Sequence, residues 1–418
     1  MFSVVRSIYS ILSSKRMLAA SILLFLPIIV NFAKISYAAY KLPIVDFGRF
    51  SLYVGLSSAF VYFFNSGLYE GHLKYFSELQ IEKRLRRLVL LQVRAEFVSF
   101  TLLLVAIMIT LFGLQEINPS ESTFILAMVF ASHVQAHSNL ITAHARVMNN
   151  LLRVGVILSA RSVLSAFLFI SLIMRGDIEV AKAYLYENIV ITLLFGMYLS
   201  SRIKFRHIAN VFNATSVIKY GVWQCYASSF RYFFLALERY VASLLLSPVA
   251  MGVYGRLMLA YQVMVVGGGV ISQLVQQKIL INALSRGVRA TGIQLLRYQG
   301  AIVSVFFVMI SVVIFAAPDF LMYFATFLIG REITIWGCCA IFLAGLISGT
   351  SLIDSLALGS SNGFAFLRIQ ILSGLVWCVF IWICYCVFDT WSLNLQAFSF
   401  LALIVLLTVG NVRFILLH

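Results

Sequence analysis

The chain has 418 residues, 62% of them hydrophobic and only 11% charged, where a soluble domain carries about 25% charged residues. A mean hydropathy of +0.98 excludes a water-soluble globular protein, and apolar runs of about twenty residues select membrane-spanning helices over the short alternating strands of a barrel. The formal charge of +16 is distributed along the chain in step with membrane sidedness, so no nucleic-acid partner is expected.

Read in chain order, apolar runs predict spans near 17–40, 48–66, 88–113, 122–143, 152–174 and 183–200, then 220–246, 250–275, 298–322, 333–357, 364–388 and 392–415. The fold class is therefore all-α: a polytopic membrane protein of about twelve transmembrane helices. The expected organisation is a cytoplasmic segment 1–16, a six-helix bundle 17–200, a cytoplasmic linker 201–219 and a second six-helix bundle 220–418.

Lys and Arg resist translocation and collect in cytoplasmic loops. With the N-terminus inside, clusters such as Lys15 and Arg16, then Lys83, Arg84, Arg86 and Arg87, then Arg202, Lys204 and Arg206 all become cytoplasmic, whereas the outer segments hold few cations, among them Lys41, Arg49 and Arg175. Both termini are expected in the cytoplasm. Residues 1–40 also have features of a cleavable leader, but Lys34 interrupts the apolar stretch and a regular series of spans follows. Val5, Ile8 and Leu12 share one helical face, which reads either as a short interfacial helix or as a frayed end.

An internal repeat is visible at the outer ends of two spans. Pro43 is followed by Gly48 and Phe50, and Pro248 by Gly252 and Tyr254; the two glycines lie 204 residues apart (252 − 48), close to half the chain. Repeats of this kind build carriers from two related bundles.

Ionisable groups inside a span cost about 2.5–3.5 kcal/mol each at the helix centre, so each is a functional candidate. Lys34, late in the first span, shares a polar face with Asn31 and follows Pro27; it reads either as a cavity group or as a side chain snorkelling to the outer interface. Arg94 lies near the cytoplasmic start of the third span with Glu96 close by, both within reach of headgroups. Arg161 lies deep in the fifth span with Ser165 one turn on. In the seventh, Gln224, Ser228, Arg231 and Glu238 recur on one helical face with Arg239 beside it, which reads as a cavity lining or as an interhelical salt bridge. Glu187 and Asp354 are further proton or cation sites, or charges neutralised by an arginine.

The fourth span carries a polar stripe, Ser132, Gln135 and Asn139, and a second face with His133, His137 and His144. Two histidines at i and i+4 suit zinc or a proton relay, but helix-to-helix hydrogen bonding is the simpler use, and no metal site is expected. The six cysteines fall in apolar runs without metal spacing and read as small buried hydrophobes. Nothing calls for a cofactor. Gly267, Gly268 and Gly269 mark a bend or a close helix contact in the eighth span.

Two segments carry a resemblance. Leu42 to Ser51 (LPIVDFGRFS) with Asn65, Ser66 and Gly67 resembles the first-repeat signature of the oligosaccharide flippases of the MOP superfamily. Glu238 and Arg239, followed by Leu244 to Pro248, Gly252 and Tyr254, resembles the second-repeat signature, with Glu238 where aspartate is more usual. Length, span number and sidedness are similar to Wzx-type O-antigen flippases. The resemblance implies two pseudo-symmetric six-helix bundles, a cationic central cavity, alternating access in the bacterial inner membrane, and a substrate of undecaprenyl diphosphate carrying an oligosaccharide. The polymerase and chain-length machinery of polysaccharide assembly then become possible partners alongside membrane lipid.

On that reading Arg231, Arg161 and Lys34, followed by Arg239 and Arg94, would bind the diphosphate, because arginine donates bidentately to phosphate oxygens. Gln224, Gln135 and Asn139 would meet sugar hydroxyls, Asn31 would also bind the substrate, and Glu238, Asp354 and Glu187 would couple transport to an ion. Two rivals stand beside it: a drug or cation antiporter of MATE type, which would line its cavity with carboxylates, and a membrane oligosaccharide polymerase or glycosyltransferase, which would need a large outer loop that the span spacing does not leave.

Overall fold

The computed structural model describes residues 15–65, 85–113, 119–147, 150–176, 178–202, 215–259, 261–262, 265, 287–316, 335–349, 363–388 and 390–417. All regular structure among them is helical. In chain order the helices are α1 (Lys15–Lys41), α2 (Ile44–Asn65), α3 (Leu85–Gly113), α4 (Pro119–Val147), α5 (Leu151–Met174), α6 (Val180–Arg202), α7 (Thr215–Leu245), α8 (residues 248–259), α9 (Val288–Ala316), α10 (Ile335–Gly349), α11 (Gly363–Val387) and α12 (Leu393–Leu417). Each matches one expected span, and eight of them are long and apolar enough to cross a membrane. Residues 2–12, Gly267 to Gly269 and Asp354 lie outside the described residues.

The ends of these helices follow from local chemistry. Asn150 caps α5, its side chain accepting from the Arg153 amide at 3.3 Å, and Gly176 takes a positive φ of 75° just past the last turn. Ser247 accepts from the Ala250 amide at 3.2 Å, and Pro248 follows at the first helical position, where its missing N–H costs nothing. The loops before α2 and α8 are two residues each, 42–43 and 246–247, so Gly48 and Phe50 fall in the first two turns of α2 just after Pro43, and Pro248, Gly252 and Tyr254 in the first two turns of α8.

Two compact units form: residues 1–37 with 53–236, and residues 38–52 with 237–418. Helices α1, α2 and α7 each contribute residues to both. Within the first unit α4 is the hub, packed most extensively on α6 and α3 and also on α5. Within the second, α12 packs on α10, α11 and α9. The most extensive helix pair in each half is thus its fourth with its sixth helix, a packing counterpart of the sequence repeat.

The repeat glycines meet inside the second unit. A Cβ on Gly48 would lie 3.0 Å from the Gly252 amide nitrogen, and one on Gly252 would lie 2.2 Å from the Ile44 carbonyl oxygen. Only glycine permits this approach of backbones. Phe47, Phe50 and Tyr254 close over it, each fully buried. Trp377 in α11 donates to the Ser399 carbonyl of α12 at 3.1 Å, and Gln370 to Asn411, so polar side chains join apolar helices where lipid offers no hydrogen bonds.

Candidate functional site

In the first unit a face of small residues decides where the charges go. Gly155, Ser159, Ser162 and Ser165 follow one another by three or four along α5, and all are buried. They let α1 come close: Ser159 donates to the Leu23 carbonyl at 2.6 Å, and a Cβ on Gly155 would sit 2.7 Å from Leu23 Cβ. Asn31 then reaches Ser162 at 3.5 Å and Lys34 reaches Ser165 at 3.0 Å, each pair 131 residues apart, so α1 and α5 run parallel in fixed register.

That register delivers the Lys34 ammonium to the Glu187 carboxylate on α6, with both oxygens at 2.5 Å and both side chains less than a tenth exposed. Ser165 donates to the same carboxylate, and the ammonium stands 4.7 Å above the Phe169 ring. Lys34 therefore does not snorkel. Glu187 is neutralised by a lysine rather than by an arginine.

Arg161 sits one turn before Ser165 and turns to α4, donating to Gln135 Oε1 at 2.7 Å and Ser138 Oγ at 3.0 Å. Both acceptors are neutral, and among the described residues no carboxylate lies within ion-pair reach of this guanidinium. Gln135 is exposed and Arg161 half-buried, so this edge of the network is open. Counting one ammonium and one guanidinium against one carboxylate, the network carries one surplus positive charge. Asn139 is half-buried and takes no side-chain part in it.

The second unit has its own polar site. Glu238 on α7 is fully buried; its Oε1 accepts from the Tyr254 hydroxyl of α8 and from Gln396 Nε2 of α12 at 2.5 Å. Trp391 donates to Gln396 Oε1 at 2.8 Å, which turns the amide's N–H groups toward the carboxylate. Among the described residues no cation pairs with Glu238, and its Oε2 has no hydrogen-bond partner. Of the two readings of this face, the interhelical salt bridge is not formed among the described residues; neutral donors take its place. Arg239 instead donates to the Ser51 carbonyl at 3.4 Å, and Arg256 to the Ala39 carbonyl at 3.0 Å, two cations holding the backbone of residues 38–52.

The remaining sequence candidates are less gathered. Arg231 is half-buried on α7 and belongs to the first unit, while Glu238, one face-repeat further on, belongs to the second. The side chains of Arg94, Gln224 and Ser228 lie outside the described residues. Glu96, expected among headgroups, is instead completely buried. Ser138, Tyr254, Gln396 and Trp391 were not singled out as partners from the sequence; the available signal was their polarity in otherwise apolar spans. No group of three metal-ligating side chains occurs among the described residues, and the five described cysteines are free.

No protein-family model and no curated protein matches the sequence. Solved structures do match in fold. The MATE multidrug transporter DinF-BH, solved in complex with R6G, superposes with a TM-score of 0.67 at 16% identity over 95% of both chains. A MOP superfamily transporter from Pyrococcus furiosus, described by a reversed polarity of its binding pocket that suggests a different function, gives 0.62 at 14% identity over 96% of this chain and 93% of that one. An inward-facing multidrug resistance MATE transporter gives 0.60 at 15% identity over 93% and 94%. The chain therefore has the fold of MOP superfamily transporters over nearly its whole length.

Proposed function

We propose that this protein is a flippase for lipid-linked oligosaccharides, moving undecaprenyl diphosphate-linked O-antigen or related repeat units from the cytoplasmic to the periplasmic leaflet of a bacterial inner membrane by alternating access. The observation that carries the reading is Arg161, a guanidinium in mid-span bound, among the described residues, only to neutral acceptors. A diphosphate needs fixed positive charge to replace its hydration, and the planar fork supplies two parallel donors. A phosphate oxygen that displaces Gln135 Oε1 and Ser138 Oγ strands no buried charge. Lys34, already matched by Glu187, sets the local charge rather than binding first.

Gln135, Asn139 and Asn31 supply amides for sugar hydroxyls beside that guanidinium. Coupling to protons or sodium falls to Glu238 or Asp354, since Glu187 is held by Lys34 and Ser165, and delivery of the flipped unit to a polymerase and chain-length machinery follows from the substrate. Transport needs no covalent step, so the protein acts as a carrier and not as an enzyme.

The fold is equally that of multidrug transporters, so the competing reading is a MATE-like antiporter for cations. Against it, the one carboxylate of the first unit's network is occupied by Lys34 and Ser165, and the surplus charge there repels cations. Binding to nanodisc-embedded protein separates the two. Undecaprenyl diphosphate is expected to bind, with Arg161→Ala weakening it by about tenfold or more and Arg161→Lys restoring part, because charge-assisted hydrogen bonds contribute about 1.5–3 kcal/mol. Rhodamine 6G binding unaffected by Arg161→Ala, with no binding of undecaprenyl diphosphate, would overturn the flippase in favour of the antiporter.

A further inference from the structure

Where α3 packs on α4, on another face of the first unit's hub, three titratable residues meet out of contact with solvent. Glu96, His133 and His137 each have zero exposure. His137 Nε2 lies 3.8 Å from Glu96 Oε2, and the two imidazoles stack at 5.4 Å between centroids with planes 28° apart. Aromatic rings hold them: Phe100 packs edge-on against both at 4.6 and 4.9 Å, Phe64 of α2 against His133 at 5.6 Å, and Phe195 of α6 against His137 at 5.0 Å.

Among the described residues the four ring nitrogens have no hydrogen-bond partner. The expected helix-to-helix hydrogen bonding is thus not what these histidines do. A neutral imidazole offers one donor and one acceptor, and burying both unmet costs about 1–3 kcal/mol each. Packing alone is served better by leucine or phenylalanine at the same positions, and a buried unsatisfied group calls for an explanation in ligand or function. A proton is the one ligand that fits without space: it needs a base, a counter-charge and a small approach of the two.

We propose that Glu96, His137 and His133 form a proton-binding site within the first unit. In the loaded state a proton lies between His137 Nε2 and Glu96 Oε2, the 3.8 Å gap closing to a hydrogen bond; in the unloaded state the carboxylate and neutral ring separate and His133 is the next acceptor. One proton enters and the same proton leaves, so the site's charge changes by one with no other bond made or broken.

The charged groups on the helices around α4 are otherwise engaged. Arg161 of α5 is bound to Gln135 and Ser138, Glu187 of α6 is bound to Lys34 of α1, and α2 presents Phe64. Among the described residues Glu96 alone is within ion-pair reach of either ring.

Side-chain nitrogen NMR of histidine-labelled protein in nanodiscs, from about pH 5 to about pH 8, tests this where imidazole protonation is read directly. The expected result is a protonation change at His137 in the wild type, identified by loss of its signal in His137→Asn, whose midpoint moves by about one pH unit or more in Glu96→Gln. The wild-type titration stands even if a variant fails to fold. Ring signals of both residues that stay constant over the whole range overturn the proposal, as does a response to added zinc ions with none to pH.

Discussion

The two units place opposite charges at equivalent points of the repeat. Lys34 in α1 and Glu238 in α7 are 204 residues apart (238 − 34), the same interval that separates Gly48 from Gly252. In the first unit the buried cation meets a full counter-charge on α6; in the second the buried acid meets two neutral donors, from α8 and α12, and no cation among the described residues. One scaffold therefore solves the burial of a charge in two ways. An ion pair fixes charge of both signs in place, whereas hydrogen bonds to a lone carboxyl tolerate either of its protonation states. The first arrangement suits a fixed electrostatic background for Arg161, the second a group whose charge changes.

The largest expected effect breaks the ion pair. Glu187→Ala leaves the Lys34 ammonium buried without its counter-charge, and the cost is about 3–5 kcal/mol. Thermal unfolding in nanodiscs should show a marked loss that Lys34→Met combined with Glu187→Leu largely recovers, since a buried pair replaced by apolar residues is often neutral. A double variant no more stable than Glu187→Ala would show that the pair does not hold α1 to α6.

Intermediate effects come from the glycines. Gly252→Ala drives a methyl into the Ile44 backbone, which cannot rotate away, while Gly155→Ala meets the Leu23 side chain. Both should destabilise within the overpacking range of about 1–3 kcal/mol, with the second unit's variant the worse. Gly300→Ala, which meets nothing within 4 Å, is the control. The same melting experiment ranks them, and equal losses at all three positions would refute backbone contact as the reason for Gly252.

The smallest effect separates the two sites most sharply. Glu238→Gln keeps an acceptor for Tyr254 and Gln396, and it should cost about 1 kcal/mol, the scale of one neutral hydrogen bond. Tyr254→Phe should cost about the same. Glu187→Gln must exceed both, since it strands a charge; a Glu238→Gln loss as large would mean that the second carboxyl is also held as an anion by a cation.

Much of this was legible in the chain. Span number and position follow from the absence of hydrogen-bond partners in lipid, which forces each apolar run into one helix, and each of the twelve runs carries a helix among the described residues. The glycine repeat was visible because backbone contact tolerates no Cβ. Arg161 with Ser165 was readable as a face, since α-helical spacing is local. Which partner each charge takes was not: Lys34 and Glu187 are 153 residues apart and meet only because α5 presents small residues to α1. Glu96 stands near Arg94 in sequence, close to the start of its span, and its burial against His137 depends on the packing of α3 on α4.

The sequence by itself determined that this is a helical membrane protein built as a repeat, because hydrophobic run length and helical period are properties of consecutive residues. Only the tertiary structure decided that one buried cation is matched, one guanidinium is left with surplus charge and one acid is held by neutral donors. Those outcomes depend on distances between helices remote in the chain, and electrostatic compensation is set by such distances rather than by residue type.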